Sequence, residues 1–314
     1  MTSDGMGTGP DNTGRIAVAG APVSFGVFEL APEEGVELAG PETVCAVLEQ
    51  TGYVGVDMGP VGFLGRDAEL RDRLHRHGLE LAGGWIDLPF SQADAFESAL
   101  AGLDATLDVF VEAADGHPSR LPLPTLACSG SAIRRANPGG GAEFALTDEQ
   151  WGPYAENVTR AAEKVRARGL EPTFHHHACT YVETPDEIDQ LLALTDVSLT
   201  FDTGHLLLGG GDPLTGWRRW RERINHLHLK DAQVSVLDAV VKGKGDMRAV
   251  WAGRAFVPFG EGDLDLTGVM NEVMASDFDG WLIVEQDTIP RKEDDPDQIV
   301  RDHRTNREAL RTWL

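Results

Sequence analysis

The sequence has few cysteines, little positive charge and no long apolar run. Its three cysteines, Cys45, Cys128 and Cys179, are far apart and odd in number, so we predict no disulfide framework and a reducing, cytoplasmic setting. Lys and Arg number 27 against 51 Asp and Glu, a net charge of −24 that repels phosphate backbones and anionic membrane surfaces. No run approaches the roughly 20 apolar residues of a membrane span. We therefore expect neither nucleic acid nor membrane as a partner.

The first fourteen residues, MTSDGMGTGPDNTG, are polar and rich in glycine. They lack the basic and apolar regions of a signal peptide, so we predict a disordered tail over 1–14. The remainder, 15–314, has a hydrophobic content typical of a folded protein and is predicted to form one domain.

Short β-rich runs alternate with helical patterns along the rest of the chain. The predicted strands are 16–20, 53–59, 79–85, 123–129, 170–177, 197–204, 224–231 and 280–287, and the predicted helices are 41–51, 67–77, 91–114, 148–168, 185–194, 213–222, 266–276 and 296–313. Eight strand–helix units predict an α/β fold, a parallel (β/α)8 TIM barrel. An open doubly wound sheet is disfavoured because no GxGxxG motif opens a strand–helix unit.

A segment over 232–257 is inserted between the seventh strand and its helix. Its pattern is partly helical, and it is either a lid near the active site or a plain surface excursion. The glycine-rich stretch 139–144 is predicted to be a loop.

Histidines and acidic residues gather at the ends of the last four predicted strands, where a barrel carries its active site. Six of the ten histidines lie there. The residues are His175, His176 and His177 at the fifth strand, Asp202 and His205 at the sixth, His226, His228, Lys230 and Asp231 at the seventh, and Glu285 and Asp287 at the eighth. Alternation along a strand lets imidazoles and carboxylates from neighbouring strands converge on one point. A lone buried histidine is usually a hydrogen-bonded core residue, but this concentration predicts a divalent metal site.

Mixed histidine and carboxylate ligands suit Mn²⁺, Co²⁺, Fe²⁺ or Zn²⁺ better than Ca²⁺, which prefers oxygen. Cys179, beside the histidines, is either a thiolate ligand or a small packing residue. Packing is favoured because it has no CxxC partner.

Five segments carry a resemblance to a known family: FHHHACTYVETPDEIDQLL, FDTGHLLLGGGDP, INHLHLKD, VPFGEGDLDL and GWLIVEQD. Together they resemble the xylose isomerase-like TIM-barrel superfamily of sugar isomerases, epimerases and AP endonucleases. Within it they are most similar to the inosose dehydratase group of inositol catabolism. The similarity runs from about residue 170 to 290, and it is weaker in the stretch before residue 170.

The resemblance implies a ligand set on the last four strands. Asp202, His228 and Glu285 match the superfamily's ligands, and Mn²⁺ or Co²⁺ is the expected ion. The glutamate usual on the fifth strand is absent, so the fourth ligand would be His175 or His177. Losing that glutamate argues against the two-glutamate epimerase mechanism and favours the dehydratase group, which shares the HxH feature.

The implied reaction is the loss of water from a keto-polyol such as 2-keto-myo-inositol, through an enediolate that the metal stabilises. His205 and Lys230 are the expected acid and base and would contact substrate, with Glu285 also in the catalytic set. Lys230 is equally well explained by an ion pair with Asp231 or Glu285.

Two further residues are assigned to the substrate site. Trp85 would form an apolar wall against the C–H face of a polyol ring. The alternative is that Trp85 simply packs in the core. Glu183 would orient a histidine, or would simply be an acid favoured at a helix N-terminus.

Other functions on the same scaffold stay open. They are a metal-dependent ketose isomerase or epimerase, a lyase that cleaves keto-glycosides by β-elimination, and a silent sugar-binding subunit. Phosphodiester cleavage is disfavoured by the net charge of −24. The expected partner is a small polyol or sugar. Such barrels often form homo-oligomers, although no segment here indicates an interface.

Overall fold

A computed structural model describes residues 14–28, 32–116, 118–295 and 297–314, so almost all of the expected N-terminal tail lies outside the described residues. Eight parallel strands close into a barrel. They are β1 (Ile16–Gly20), β2 (Gly55–Asp57), β3 (Glu80–Leu88), β4 (Leu123–Cys128), β5 (Thr173–His175), β6 (Ser198–Asp202), β7 (Ile224–Leu229) and β10 (Gly280–Val284), while β8 (Asp231–Ala232) and β9 (Phe256–Val257) lie outside the barrel. Around the barrel the order is β1-β10-β7-β6-β5-β4-β3-β2. The predicted (β/α)8 barrel is confirmed.

Helices follow the strands and cover the barrel. They are α1 (Pro41–Gln50), α2 (Asp67–Arg76), α3 (Ala93–Asp115), α4 (Ala132–Ala136), α5 (Asp148–Arg166), α6 (Pro185–Leu194), α7 (Thr203–Leu208), α8 (Pro213–Trp220), α9 (Val234–Lys242), α10 (Met247–Ala252), α11 (Leu266–Ala275) and α12 (Gln298–Leu310). None of those in the described part of the chain is long and apolar enough to cross a bilayer. Cys45, Cys128 and Cys179 are buried free thiols.

Among the helices that were not expected from the sequence, two short ones follow β4. The chain after β4 contains α4, whose first turn is capped by the Ser131 hydroxyl, and a 3-10 turn over Gly141–Phe144 where only a loop was predicted. The predicted sixth strand ran to residue 204, but α7 begins at Thr203. The Asp202 side chain accepts a hydrogen bond from the His205 amide, and this cap ends the strand and starts the helix.

Side chains fill the interior of the barrel, and a cavity opens at the carboxyl ends of the strands. Trp281 on β10 and His226 on β7 are register partners, and both are buried. A Cβ atom on Gly55 would lie 2.5 Å from the Trp281 ring, and one on Gly83 would lie 2.9 Å from the His226 Nε2. Glycine at these two strand positions makes room for the large side chains that close the barrel. These side chains fill the barrel interior beneath the cavity at the carboxyl ends of the strands.

The inserted segment after β7 is a packed substructure. Two short strands, β8 (Asp231–Ala232) and β9 (Phe256–Val257), pair antiparallel and enclose α9 and α10. Its apolar side chains, among them Leu237, Met247 and Val250, form one cluster with Ala178 and Leu208 from the barrel. The Asp231 carboxylate anchors the turn that follows by accepting from the amides of Gly260 (2.8 Å), Gly262 (3.1 Å) and Leu264 (3.0 Å).

The last helix, α12, buries a neutral histidine against the barrel. The His303 ring stacks on Phe25 at 5.1 Å between centroids, and its Nδ1 lies 3.2 Å from the Tyr53 hydroxyl. Burial lowers the pKa of His303 to about 4. The unfolded chain therefore binds a proton at this imidazole near pH 6.5, whereas the folded protein binds it only near pH 4. The free energy of unfolding therefore decreases as the pH falls from about 6.5 to about 4.

We expect His303→Phe to remove this decrease in stability at low pH. Between pH 7 and pH 5 the variant should gain about 2 kcal/mol in the free energy of unfolding relative to the wild type. Urea denaturation at the two pH values measures it, and the same substitution at the exposed His75 is the control. A difference between variant and wild type that does not change with pH would contradict the expectation.

Candidate metal centre

Four buried side chains meet where β5, β6, β7 and β10 end. One donor atom from each of His175, Asp202, His228 and Glu285 lies within 4.8 Å of all the others. The His228 Nδ1 is 3.1 Å from the His175 Nε2 and 2.9 Å from the Glu285 Oε2. This set, which we call the first donor group, includes Asp202, His228 and Glu285, and of the two candidate histidines it takes His175.

One hydrogen bond assigns the proton and the lone pair of His175 in the first donor group. The His175 Nδ1 is 2.6 Å from the His176 carbonyl, which can only accept, so Nδ1 is assigned the proton and Nε2 the lone pair. That lone pair faces the Asp202 Oδ2 at 3.4 Å, a buried oxygen without a hydrogen bond. The lone pair also lies 3.1 Å from the His228 Nδ1, and the Asp202 oxygen lies 3.3 Å from the Lys230 Nζ. A cation placed among the four side chains would bind both of these acceptors directly. The group therefore fits a divalent metal ion.

The two carboxylate oxygens of Asp202 have different partners. Oδ1 accepts the His205 amide at 2.8 Å and caps α7, which leaves Oδ2 directed at the first donor group. The Asp202 amide itself donates to the His176 Nε2 at 3.1 Å. The carboxylate is thus held rigidly by the helix that it caps.

Lys230 is the buried cation of the site. Its Nζ lies 3.3 Å from the Asp202 Oδ2, 3.0 Å from the Glu285 Oε2 and 2.8 Å from the Asp287 Oδ1. Burial alone would lower the pKa of Lys230, but these carboxylates hold it well above its usual value. Of the two ion-pair partners considered from the sequence, the structure supplies Glu285. Asp231 instead binds the backbone of the following turn.

Burial and Lys230 act in opposite directions on the pKa values of the acids. Although burial opposes it, the Lys230 charge holds the pKa of Asp202 well below its usual range. Burial outweighs Lys230 at Asp287 and raises the pKa of that carboxyl to about 6. The neighbouring Glu285 raises the pKa of His228 against the effect of burial.

A second donor group adjoins the first. One donor atom from each of His177, His205 and Asp287 again lies within 4.8 Å of the others. The rings of His177 and His205 are in contact, with centroids 3.6 Å apart, and the His205 Nε2 lies 3.0 Å from the Lys230 Nζ. Burial lowers the pKa of both histidines, so both are neutral.

A cavity of about 870 Å³ opens onto both groups. Trp85 lines it, with its ring 5.0 Å from that of His177. Trp251, from the inserted segment, lines it as well and donates its Nε1 hydrogen to the Asp287 Oδ2 at 3.3 Å. Asp57, at the end of β2, is a third wall residue, and burial raises the pKa of its carboxyl to about 6.

The structure brings most of the sequence-predicted site residues to this cavity. His175, His177, His228, Lys230, Glu285 and Trp85 line it. Asp202 and His205 have no exposed surface and lie behind the lining. Sequence reasoning missed Trp251 and Asp57. Asp57 ends a strand, as the recognised acids do, whereas no local signal marked Trp251.

Glu183 is not brought to the described cavity wall. It is buried beside Arg134, whose Nη1 lies 3.3 Å from the Glu183 Oε2, and burial raises the pKa of Glu183 to about 7. Arg134 also binds Glu187 of α6, the Thr180 carbonyl and the Gly141 carbonyl. This pairing ties the loops after β4 and β5 together, so the position of Glu183 is explained by an ion pair and not by a histidine.

Cys179 lies outside both donor groups. Its buried thiol donates to the Arg134 carbonyl at 3.4 Å, and burial raises the pKa of the thiol. A thiol held protonated against a carbonyl packs and does not ligate, as the sequence favoured.

Comparison with known proteins defines the class of the chain. The family model for the xylose isomerase-like TIM barrel matches residues 31–310. The chain belongs to this family.

Curated relatives narrow the class further. A protein named inosose dehydratase from Geobacillus kaustophilus (strain HTA426) is 32% identical over 256 residues, 79% of this chain and 80% of that protein. The rhizopine catabolism protein MocC of Rhizobium meliloti is 30% identical over 294 residues, 89% of this chain and 85% of its own. With relatives named as dehydratases, the chain is a lyase-type enzyme.

A solved structure supports the fold. The IOLI protein with a bound zinc atom superimposes with a TM-score of 0.69 at 10% identity, over 95% of this chain and 99% of that one. At such identity the likeness shows the fold alone.

We expect Arg134→Met to destabilise the protein by about 3–5 kcal/mol, because it leaves the Glu187 carboxylate buried without a counter-ion. Urea denaturation measures the loss. The matched control is Arg135→Met at the exposed neighbour, which should cost less than about 1 kcal/mol. Glu183→Gln should lower stability and leave metal content unchanged. Equal effects at positions 134 and 135 would refute the role given to this ion pair.

Proposed function

We propose that this chain is a Mn²⁺- or Co²⁺-dependent dehydratase that removes water from a keto-polyol such as 2-keto-myo-inositol, in inositol catabolism in the cytoplasm, with 15–314 as its catalytic domain. The observation that carries the proposal is the first donor group, buried at the cavity with the Lys230 ammonium beside it. The inosose dehydratase names of the curated relatives support the substrate class.

The proposed metal ligands are the four members of the first donor group, His175, Asp202, His228 and Glu285. Two imidazoles and two carboxylates suit Mn²⁺ or Co²⁺. A divalent ion held there would polarise the ketone oxygen and an adjacent hydroxyl as a Lewis acid. Trp85 and Trp251 would provide apolar faces for the C–H side of the substrate.

Lys230 is the proposed proton donor. Its ammonium has three N–H groups, lines the cavity and is held by Asp287 and Glu285. His205 has no surface on the cavity and accepts at Nε2 from the Lys230 Nζ, so it acts as a positioning residue for that lysine. This differs from the expectation that His205 itself contacts substrate.

His177 is the proposed proton acceptor. Its Nδ1 lies 2.8 Å from the Ala178 carbonyl, which assigns the proton to Nδ1 and the lone pair to Nε2. In the proposed step His177 takes the proton from the carbon beside the ketone. The electron pair of that C–H bond forms the new double bond, the C–O bond one carbon further on breaks, and Lys230 protonates the leaving hydroxyl as water.

The test is turnover of 2-keto-myo-inositol by protein stripped of metal and reloaded with Mn²⁺ or Co²⁺. We expect a metal-dependent rise in ultraviolet absorbance from an enolised diketone product. Entry of solvent deuterium into ketoses without that rise would overturn dehydration in favour of an isomerase or epimerase. Cleavage of a keto-glycoside without it would favour the β-eliminating lyase. Absence of all three signals would refute the proposed substrate class.

Single variants should separate ligands from proton-transfer groups. Asp202→Asn and Glu285→Gln should lose both the bound ion and turnover. His177→Gln should keep one ion per chain and lose at least about 100-fold in turnover, as a general base does. Metal analysis and initial rates measure this, with Glu261→Gln on the exposed turn as the control. Wild-type metal content in Asp202→Asn, or loss of the ion in His177→Gln, would refute the ligand assignment.

A further inference from the structure

Lys230 lies between the two donor groups and contacts both. On one side its Nζ faces the Glu285 Oε2 at 3.0 Å and the Asp202 Oδ2 at 3.3 Å. On the other side it faces the His205 Nε2 at 3.0 Å and the Asp287 Oδ1 at 2.8 Å. A single ammonium group therefore occupies the boundary between two sets of potential metal ligands.

The second donor group presents lone pairs and no protons toward this boundary. An ammonium can only donate, so the His205 Nε2 facing Lys230 is the unprotonated nitrogen. The His177 Nδ1 is bound to the Ala178 carbonyl, which leaves the Nε2 lone pair free. Two imidazole lone pairs and the Asp287 carboxylate are donors of the kind that bind transition metals, and one atom from each lies within 4.8 Å of the others.

Charge balance explains why the Lys230 ammonium occupies the second donor group. Asp202, Glu285 and Asp287 contribute three buried carboxylates, and a buried charge must be compensated. One divalent ion in the first donor group and one ammonium balance them. Without the ammonium one carboxylate is left over, next to three atoms that can bind a second cation.

We propose that the Lys230 ammonium is the resident cation of a second metal-binding group, formed by His177, His205 and Asp287, and that it thereby limits the protein to one divalent ion. Removing the ammonium converts the single metal centre into a pair. The inference rests on the metal centre proposed above. The second group can be reached from the cavity, because His177 and Asp287 line it while His205 lies buried behind them.

The experiment compares metal content per chain in wild type, Lys230→Ala and Lys230→Arg after equilibration with Mn²⁺ and removal of free ion. We expect one ion in wild type and in Lys230→Arg, which keeps the charge, and two in Lys230→Ala. The electron paramagnetic resonance spectrum should change from that of an isolated Mn²⁺ ion to that of a spin-coupled pair. Neither readout depends on turnover.

A double variant locates the added ion. Lys230→Ala combined with Asp287→Asn should return to one ion, because it removes the carboxylate of the second donor group. Two ions in the double variant, or one ion in folded Lys230→Ala, would overturn the proposal. If Lys230→Ala folds only when Mn²⁺ is supplied and then carries two ions, the proposal stands. Failure to fold in any amount of Mn²⁺ overturns it.

The same measurements distinguish a failure of this inference from a failure of the proposed function. A wild type without any bound ion would refute the proposed metal centre. The second group would still be tested by whether Lys230→Ala gains an ion that Asp287→Asn abolishes.

Discussion

Three carboxylates buried within 3.3 Å of one lysine nitrogen set the main constraint on this protein. Charges without access to water are strongly unfavourable unless they are paired or bind a metal ion. The surroundings of Asp202, Glu285 and Asp287 meet that requirement: Lys230 faces all three, and α7 supplies an amide to one of them. The chemistry proposed for the cavity uses the same groups, so stability and function depend on one set of charges.

Much of this arrangement could be predicted because it follows from local rules. Parallel strands end at one rim, and alternation along a strand fixes which side chains face inward. These rules predicted that side chains from the last four strands converge at one rim, and the family resemblance selected Asp202, His228 and Glu285 among them. They could not choose between His175 and His177, which share a face. That difference arises because β5 ends at His175 and the chain then turns, so that His177 packs on His205.

The remainder depends on contacts between distant parts of the chain. Glu183 is in a motif that suggested a role beside a histidine, but Arg134, 49 residues earlier, binds it instead. Trp251 reaches Asp287 only because the segment between β8 and β9 folds back over the barrel. Nothing in the local sequence encodes either contact. Interactions of this kind are the part of a site that patterns of residue type leave undetermined.

The inserted segment has a consequence for how such an enzyme can diversify. It is closed by a two-stranded ribbon, and its apolar cluster takes in Ala178, Cys179 and Leu208 from the barrel loops. Phe256 packs against the His205 ring and the Lys230 ammonium, and Trp251 donates to Asp287. A change of substrate preference made in this segment therefore also changes the surroundings of the charged groups, so that the cavity wall and the core chemistry have to evolve together.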